Sequence, residues 1–95
     1  MPYEIRYSDE AFEQLKRLRA FDRVAILDQI ERVLMVNPTL EGKATVKLLR
    51  QPAPTRCRLR VGEFRVFYDI EGETVSVLQI LSKPESIAYL VGGEP

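Results

Sequence analysis

The stretch of sequence that decides the fold is residues 55–70, which read TRCRLRVGEFRVFYDI. Apolar and polar side chains alternate on both sides of Gly62-Glu63, and this period of two is typical of half-buried β-strands. A glycine at the first position of a two-residue loop favours a type II′ hairpin turn. The stretch therefore predicts a β-hairpin in which Arg60 faces Arg65 across the ladder.

This register divides the side chains of the hairpin between the two faces of the sheet. Predicted to face the helices are Cys57, Leu59, Val61, Val66 and Tyr68. Predicted on the opposite face are Arg56, Arg58, Arg60, Arg65 and Phe67. The thiol of Cys57 is expected to be an inert part of the core.

The four arginines of the second face predict an anion-binding surface. Like charges directly opposite each other in a sheet cost about 0.2–1 kcal/mol, so folding gains nothing evident from setting Arg60 against Arg65. Arginine suits phosphate because its planar fork donates two parallel hydrogen bonds, and Phe67 offers a surface on which a base could stack. The alternative is an ordinary solvated face, in which Arg56 forms a cross-strand ion pair with Asp69.

The remaining elements follow from periodicity and from residues that stop helices and strands. A first helix is predicted after the N-cap residue Ser8, and a second begins near Asp22 and ends at Asn37-Pro38. Strands are predicted at 3–7, 46–49, 55–61, 64–70 and 74–81, and a short terminal helix at 85–90. The predicted fold is one α+β domain over residues 1–95: an N-terminal strand, a two-helix hairpin and a four-stranded antiparallel meander, with the helices packed on one face of the twisted sheet.

The composition excludes several classes of site. The 95 residues include no histidine and one cysteine, which excludes Ser-His and Cys-His catalytic pairs, His/Cys zinc sites and an internal disulfide. No apolar run approaches the roughly 18–20 residues of a membrane span, and the N-terminus does not resemble a signal peptide. We therefore expect a cytoplasmic protein with no metal ion and no cofactor.

The formal net charge of zero conceals a segregated charge distribution. Residues 43–65 carry seven basic side chains and one acidic side chain, a net charge of +6, whereas residues 1–42 and 66–95 carry −2 and −4. A basic segment of this kind is typical of proteins with a polyanionic partner. The composition is equally compatible with a fold in which the acidic side chains of residues 1–42 and 66–95 neutralise the basic segment.

Residues 59–68, LRVGEFRVFY, together with the order of elements, resemble the RelE/ParE superfamily of toxins from bacterial type II toxin–antitoxin modules. The superfamily pattern is a basic strand, a glycine hairpin, an aromatic residue, an arginine, two apolar residues and a tyrosine. The matching positions are Gly62, Phe64, Arg65 and Tyr68. Lys47-Leu48 ahead of the basic strand and Asn37-Pro38 after the second helix extend the resemblance over almost the whole chain.

The resemblance implies a compact toxin with two helices on one face of a twisted antiparallel sheet. Members of the RelE branch enter the ribosomal A site and cut mRNA, and members of the ParE branch poison DNA gyrase. The pattern is nearer the RelE branch, whose exposed sheet face holds the RNA phosphate, so it implies a ribosome-dependent mRNA endonuclease that inhibits translation. The expected catalytic residues are Arg58, Arg65, Lys83 and Tyr89, and the expected RNA-binding residues are Lys47, Arg56, Arg60 and Phe67.

The C-terminal residues depart from the family pattern. Many active members carry a His or Arg after the last strand, and Pro84 stands at that position here. Tyr89 matches the aromatic residue that serves as an acid/base candidate in the RelE branch, and it fits equally well as a core aromatic of the terminal helix.

Cleavage of RNA by this route uses the 2′-hydroxyl of the substrate as the nucleophile. Arg58 and Arg65 can stabilise the phosphate charge, but arginine does not release its proton near neutral pH. Without histidine, the base is expected among Lys47, Lys83, Tyr68, Tyr89, Glu63 and groups of the ribosome. Because nearby arginines favour the unprotonated form of a lysine, Lys83 is our first hypothesis for the base and Lys47 the second.

Two further functions fit the sequence: a catalytically weak protein that binds and regulates its antitoxin, and a ParE-type gyrase inhibitor. In every case the expected partner is a small antitoxin with a DNA-binding domain, whose acidic, partly helical segment binds the basic sheet face or the helices. The mRNA endonuclease also requires the ribosome and mRNA as partners. No membrane partner is expected.

Overall fold

The computed structural model describes residues 2–42 and 45–91. The strands within these ranges are β1 (Glu4–Tyr7), β2 (Val46–Leu48), β3 (Cys57–Val61), β4 (Phe64–Glu71) and β5 (Thr74–Ser82). The helices are α1 (Asp9–Arg17), α2 (Ala20–Gln29), which continues into a π-helical turn at Ile30–Leu34, and α3 (Lys83–Val91). None of the helices in these ranges has both the length and the apolar character of a bilayer-spanning segment. The elements confirm the predicted α+β class.

The strands form one sheet in the order β1-β5-β4-β3-β2. Strands β2 to β5 are antiparallel neighbours, as predicted for the meander, and the N-terminal strand β1 pairs in parallel with β5 at one edge. The register of β4 against β5 shifts between Phe67 and Tyr68 and skips Leu78. Because of this bulge, Val77 and Ile80 both lie in the core although they are three residues apart.

Helices α1 and α2 cover one face of the sheet. Helix α1 begins where the Ser8 Oγ accepts a hydrogen bond from the Ala11 N–H (3.0 Å), which confirms the predicted N-cap. Helix α2 begins at Ala20, slightly before the predicted start near Asp22. The core between these helices and the sheet consists of Ala11, Leu15, Ile26, Ile30, Leu34, Val46, Cys57, Leu59, Val66, Tyr68, Val75, Val77 and Ile80.

Helix α3 lies on the opposite face of the sheet. Its Tyr89 ring packs edge-on against Phe67, with the ring centroids 4.9 Å apart. Phe67 stands between the core residues Val66 and Tyr68 along β4, so alternation turns it away from α1 and α2. Helices α1 and α2 thus share one face, as the sequence predicted, and α3, for which the sequence predicted no face, lies on the other.

A capping box fixes the start of α3 at Lys83, two residues before the predicted start at Glu85. The Ser82 N–H donates to Glu85 Oε1 (2.9 Å), and the Glu85 N–H donates to Ser82 Oγ (3.3 Å). A Ser-x-x-Glu sequence at a helix N-terminus forms this reciprocal pair. Pro84 lies in the first turn of α3. A backbone N–H at this position would have no intrahelical acceptor, so the proline removes no hydrogen bond from the helix.

Candidate functional site

The β3–β4 hairpin has the register that the sequence predicts. Gly62 occupies the turn with a φ of +58°, a left-handed conformation that glycine adopts at little steric cost. Arg60 pairs with Arg65, and Arg58 pairs with Phe67. These positions alternate with core residues, so they lie on the sheet face away from α1 and α2.

The sheet brings a fourth cation beside these arginines, because Lys47 of β2 pairs with Arg58 of β3. We call this cluster the basic surface, and its members are Lys47, Arg58, Arg60 and Arg65. Lys47 and Arg60 are exposed, whereas Arg58 and Arg65 are half-buried. Three neighbouring strands thus contribute adjacent positive charges to one patch.

The charges of the basic surface act on one another. Burial lowers the pKa of Arg58, and the neighbouring charges of Arg65 and Arg60 lower that pKa further. The guanidinium nevertheless keeps its proton, because the ordinary pKa of arginine lies far above neutrality. An anion bound among these side chains would relieve their repulsion.

Within residues 2–42 and 45–91, no acidic side chain forms an ion pair with Lys47, Arg60 or Arg65. The ion pairs within residues 2–42 and 45–91 are Arg6–Glu4 (3.5 Å), Lys16–Glu13 (3.6 Å), Arg19–Asp22 (3.5 Å) and Arg32–Asp28 (2.8 Å). All of them lie on β1 or on the first two helices and the turns that join and extend them. The segregation of charge along the sequence is therefore retained in the fold.

Arg65 is held by the turn that it follows. Its Nη1 donates to the carbonyl oxygens of Gly62 and Phe64, both at 3.0 Å. One nitrogen of the guanidinium is thereby committed to the hairpin, and its other donors are left for an anion.

Arg56 comes just before β3 and continues the arginine series by two residues. The ion pair considered from the sequence, between Arg56 and Asp69, is not formed among the described residues. Instead, Asp69 Oδ1 accepts a hydrogen bond from the backbone N–H of Arg56 (2.6 Å). Asp69 thus fixes the backbone at Arg56. The Arg56 residue as a whole is exposed.

The position of Phe67 corrects one expectation. The sequence predicted an exposed ring on which a base could stack, but the side chain has 0% exposure. The ring of Tyr89 covers it from α3. Alternation along β4 predicted the face correctly, but it held no information about the helix that covers this face.

Tyr89 is half-buried on α3 and lies in an acidic environment. Burial raises the pKa of its hydroxyl, and the carboxylates of Asp69 and Glu10 raise that pKa further. A phenol with a raised pKa keeps its proton at neutral pH. Tyr89 is therefore suited to donate a proton or a hydrogen bond and poorly suited to act as a base.

The two lysines of the predicted site occupy different places. Lys47 lies within the basic surface, opposite Arg58. Lys83 is exposed at the first position of α3, and its backbone N–H donates to the carbonyl oxygen of Glu63 in the hairpin turn (2.9 Å). The structure therefore brings Lys47 together with the arginines and anchors Lys83 beside the turn.

Tyr68 lies on the other face of the sheet. It is fully buried, and its hydroxyl donates to the carbonyl oxygen of Pro38 (2.6 Å). Burial raises the pKa of this hydroxyl well above its usual range. The neighbouring Cys57 is buried in the same core, as predicted, and burial raises the pKa of its thiol. Tyr68 is therefore excluded from the list of possible bases.

The feature that the sequence analysis missed is the cover that α3 provides over β4. The signal was present, because Ser82-Lys83-Pro84-Glu85 matches the capping-box pattern and carries proline in the first turn. Reading this signal would have started the helix at Lys83. It would not have shown which strand the helix covers, since that depends on tertiary packing.

The chain matches the family model of the ParE toxin of type II toxin–antitoxin systems, parDE, over residues 5–86. The match extends from β1 to the first turn of α3. It therefore includes the whole basic surface and ends before Tyr89. Among curated proteins, none matches this chain.

Solved structures with the same fold include chains from toxin–antitoxin complexes. The RelBE2 toxin–antitoxin complex of Mycobacterium tuberculosis has a chain that is 26% identical, with a TM-score of 0.69 over 86% of this chain and 99% of that chain. The RelB–RelE antitoxin–toxin complex of Methanococcus jannaschii has one that is 20% identical, with a TM-score of 0.67 over 88% and 96%. A mutant of the E. coli toxin RelE in the free state is 16% identical, with a TM-score of 0.57 over 100% of both chains. These similarities confirm the predicted RelE-like fold.

Proposed function

This chain belongs to the ParE toxin family of type II toxin–antitoxin systems, within the RelE/ParE superfamily, and we propose that it inhibits translation as a ribosome-dependent mRNA endonuclease. The observation that carries the proposal is the basic surface, in which four cations from three strands adjoin one another in a chain of zero net charge. Such a cluster suits a phosphodiester backbone.

The proposed reaction is a transfer within the RNA strand. The 2′-oxygen loses its proton to a base and attacks the adjacent phosphorus, and the bond from phosphorus to the 5′-oxygen of the next nucleotide breaks. The released 5′-oxygen takes up a proton. The products are a 2′,3′-cyclic phosphate and a free 5′-hydroxyl, and the balance requires no oxidant or reductant.

Arg58 and Arg65 are suited to stabilise the negative charge that develops on the reacting phosphate. Both are half-buried, and partial exclusion of water strengthens their electrostatic effect. The turn carbonyls of Gly62 and Phe64 orient the guanidinium of Arg65 before substrate binds. Tyr89, which keeps its proton, is the candidate donor to the leaving 5′-oxygen.

The base is proposed to be one of the two lysines. Lys47 has the more favourable position because it lies opposite Arg58, whereas Lys83 is anchored beside the turn. The variants Lys47→Met and Lys83→Met separate them, since loss of cleavage in one variant alone identifies the base. Undiminished cleavage in both would transfer this role to a group of the ribosome.

Primer extension on a message translated in a cell extract tests the nuclease. The wild-type protein is expected to produce new 5′ ends within the coding region, and only while translation proceeds. Arg58→Gln is expected to lower the cleavage rate about 10²-fold. Arg17→Gln removes the same charge from the exposed surface of α1 and serves as the control. Absence of new 5′ ends with wild-type protein during active translation would reject the proposal.

We also propose that a small antitoxin with a DNA-binding domain binds this chain. The support is the family itself and the similarity to a chain of a toxin–antitoxin complex. An acidic, partly helical segment would bind the basic surface or helices α1 and α2. A pull-down from the host that recovers no small co-encoded protein would contradict this partner.

A second candidate is a family member with no RNA chemistry, either a gyrase inhibitor or a catalytically weak partner of its antitoxin. Two observations favour it: the matching family model is that of ParE toxins, and Pro84 is built into the first turn of α3, at the position where many active members carry His or Arg. Inhibition of DNA supercoiling without new 5′ ends on translated message would support the gyrase inhibitor.

A further inference from the structure

Helix α3 is apolar on two sides. Its inner side carries the buried Ser86 and the Tyr89 ring that packs on the sheet. Its outer side exposes Ile87, Leu90 and Val91, and the Val91 side chain is 75% exposed. These three residues have the i, i+3, i+4 spacing of a stripe along one face of a helix. Because a surface helix normally turns polar residues toward water, the stripe indicates a surface that another apolar surface covers.

A second exposed apolar surface is a groove between α2 and the β3–β4 turn. It consists of two adjoining hollows of about 410 Å³ each, which share Ala25, Val61 and Gly62 in their linings. The hollow at the start of α2 is also lined by Phe21 and Phe64, and Phe21 is 79% exposed. The groove thus offers apolar side chains that a helix could cover.

The groove and the outer side of α3 match in length. The lining residues on α2 extend from Arg19 to Gln29, which is about 15 Å at a rise of about 1.5 Å per residue. Helix α3 has 9 residues and is therefore about 13.5 Å long. One helix of this length fills the groove from end to end.

Both surfaces begin at the β3–β4 turn. The Lys83 N–H at the start of α3 donates to the carbonyl oxygen of Glu63 in the turn (2.9 Å), and Glu63 also lines the groove. Because α2 and α3 cover opposite faces of the sheet, α3 does not reach the groove of its own chain. We propose that two copies of this chain form a closed dimer about a two-fold axis beside this turn, in which the outer side of each α3 binds the groove of the other copy.

The charges at the two ends of the groove agree with this arrangement. Lys83 and Glu63 are exposed, and neither forms an ion pair within residues 2–42 and 45–91. In the dimer, Lys83 of each copy lies at the groove end that carries Glu63 of the other copy, so the axis generates two opposite-charge pairs. At the far end the groove carries Arg60, which suits the negative end of the α3 dipole.

A closed dimer covers these surfaces more completely than an open chain of copies does. A two-fold contact uses the same patches on both copies, so it covers two helical stripes and two grooves at once. A head-to-tail contact leaves one stripe and one groove exposed at the ends and continues into a filament unless the rotation closes a ring. The shared starting point of both surfaces at the turn favours the two-fold arrangement.

Sedimentation velocity over a series of protein concentrations tests the dimer with the full chain, free of RNA and of any antitoxin. The expected result is a monomer–dimer equilibrium whose largest species has twice the mass of one chain. A wild-type protein that stays monomeric at every concentration overturns the proposal, and species that grow beyond the dimer overturn the two-fold closure. The measurement needs no RNA, so its outcome is independent of the proposed nuclease.

Substitutions on the two surfaces test whether they contact each other. Phe21→Asp places a charge in the groove, and Val91→Lys places a positive charge on α3 near Arg60 of the other copy. Since each substitution occurs twice in a two-fold dimer, each is expected to raise the dissociation constant about 10²-fold.

The matched control for these variants is Val36→Asp, because Val36 is exposed but does not line the groove. It is expected to leave the dissociation constant unchanged, and circular dichroism checks that every variant is folded. A weaker dimer in only one of Phe21→Asp and Val91→Lys, or an equal loss with Val36→Asp, would contradict contact between α3 and the groove.

An exchange of charges provides a second measure. Glu63→Lys and Lys83→Glu each bring like charges together across the axis and are expected to weaken the dimer about 10-fold at low salt. The double variant restores opposite charges with their positions exchanged, so it is expected to recover the wild-type dissociation constant. If the two losses instead add in the double variant, Lys83 does not meet Glu63 across the axis and the proposed dimer is wrong.

Discussion

The role of each residue on β3 and β4 depends on the face of the sheet that it occupies. Cys57 and Arg58 are neighbours in sequence, yet Cys57 lies in the core and Arg58 lies in the basic surface. The same alternation separates Phe67, which contacts Tyr89, from Tyr68, which bonds to Pro38. A family motif that includes residues of both faces therefore combines core positions with positions of the basic surface.

The hydroxyl of Tyr68 is expected to contribute to stability and not to catalysis. Tyr68→Phe removes the donor to the buried carbonyl of Pro38, which costs about 1–3 kcal/mol in the free energy of unfolding. Urea denaturation measures this loss. The control is Tyr3→Phe, because Tyr3 packs against the same core and its hydroxyl forms no hydrogen bond within the described residues. Slower RNA cleavage with unchanged stability would contradict the assignment.

The faces of the hairpin residues could be predicted because alternation is a local property of the chain. It predicted that Arg58, Arg60 and Arg65 share one face and that Cys57 lies in the core, and the structure confirms both. It could not predict the burial of Phe67. That burial depends on α3, which follows the next strand, β5, and no local pattern states where a helix will pack.

At the scale of elements, α3 determines how much of the second sheet face stays open. It covers Phe67 on β4 and leaves Lys47 and Arg60 exposed. Its Ile87, Leu90 and Val91 are exposed, so its attachment relies on a small number of contacts, among them the Tyr89 ring, and on the capping box at its start. The boundary between the covered and the open part of this face runs along the basic surface.

The capping box is expected to hold α3 in place. Ser82→Ala removes the acceptor for the Glu85 N–H and costs about 1 kcal/mol of stability. The amide hydrogens of α3 are expected to exchange faster with solvent than those of β4, because the helix frays before the sheet opens. Ser76→Ala on β5 is the control, since the Ser76 hydroxyl forms no hydrogen bond within the described residues. Equal protection of the α3 amides in both variants would contradict this role.

The strands and helices could be predicted where local signals were strong, and their partners could not. The Ser8 N-cap and the Gly62 turn predicted α1 and the β3–β4 hairpin correctly. The parallel pairing of β1 with β5 was not predicted, because periodicity identifies a strand and its faces but not its neighbour. The start of α2 differed by about two residues, since Arg19 provides no side-chain cap that would mark it.

At the scale of the whole molecule, a net charge of zero is compatible with a charged surface because the two signs are kept apart. The ion pairs among the described residues lie on β1 and in the α1–α2 region. The basic surface lies on the sheet face away from α1 and α2, where Arg60 stands against Arg65. Folding does not benefit from this pairing, so the arrangement is best explained by an anionic partner.

Substitution of Arg60 is therefore expected to raise stability and to lower affinity for RNA. Arg60→Glu converts a like-charge pair with Arg65 into an opposite-charge pair and is expected to add about 0.2–1 kcal/mol to the free energy of unfolding. Arg60→Gln removes the repulsion without adding an attraction, so its stability should lie between those of the wild-type protein and Arg60→Glu. Urea denaturation measures all three proteins.

Salt provides the internal control for this series. At about 1 M salt the screening length falls to about 3 Å, so the differences in stability among Arg, Gln and Glu at this position should shrink. The affinity for oligouridylate at low salt should follow the opposite order, with the wild-type protein strongest. If Arg60→Gln and Arg60→Glu instead destabilise the protein at low salt, Arg60 serves the fold, and its place beside Arg65 no longer indicates a surface kept for an anion.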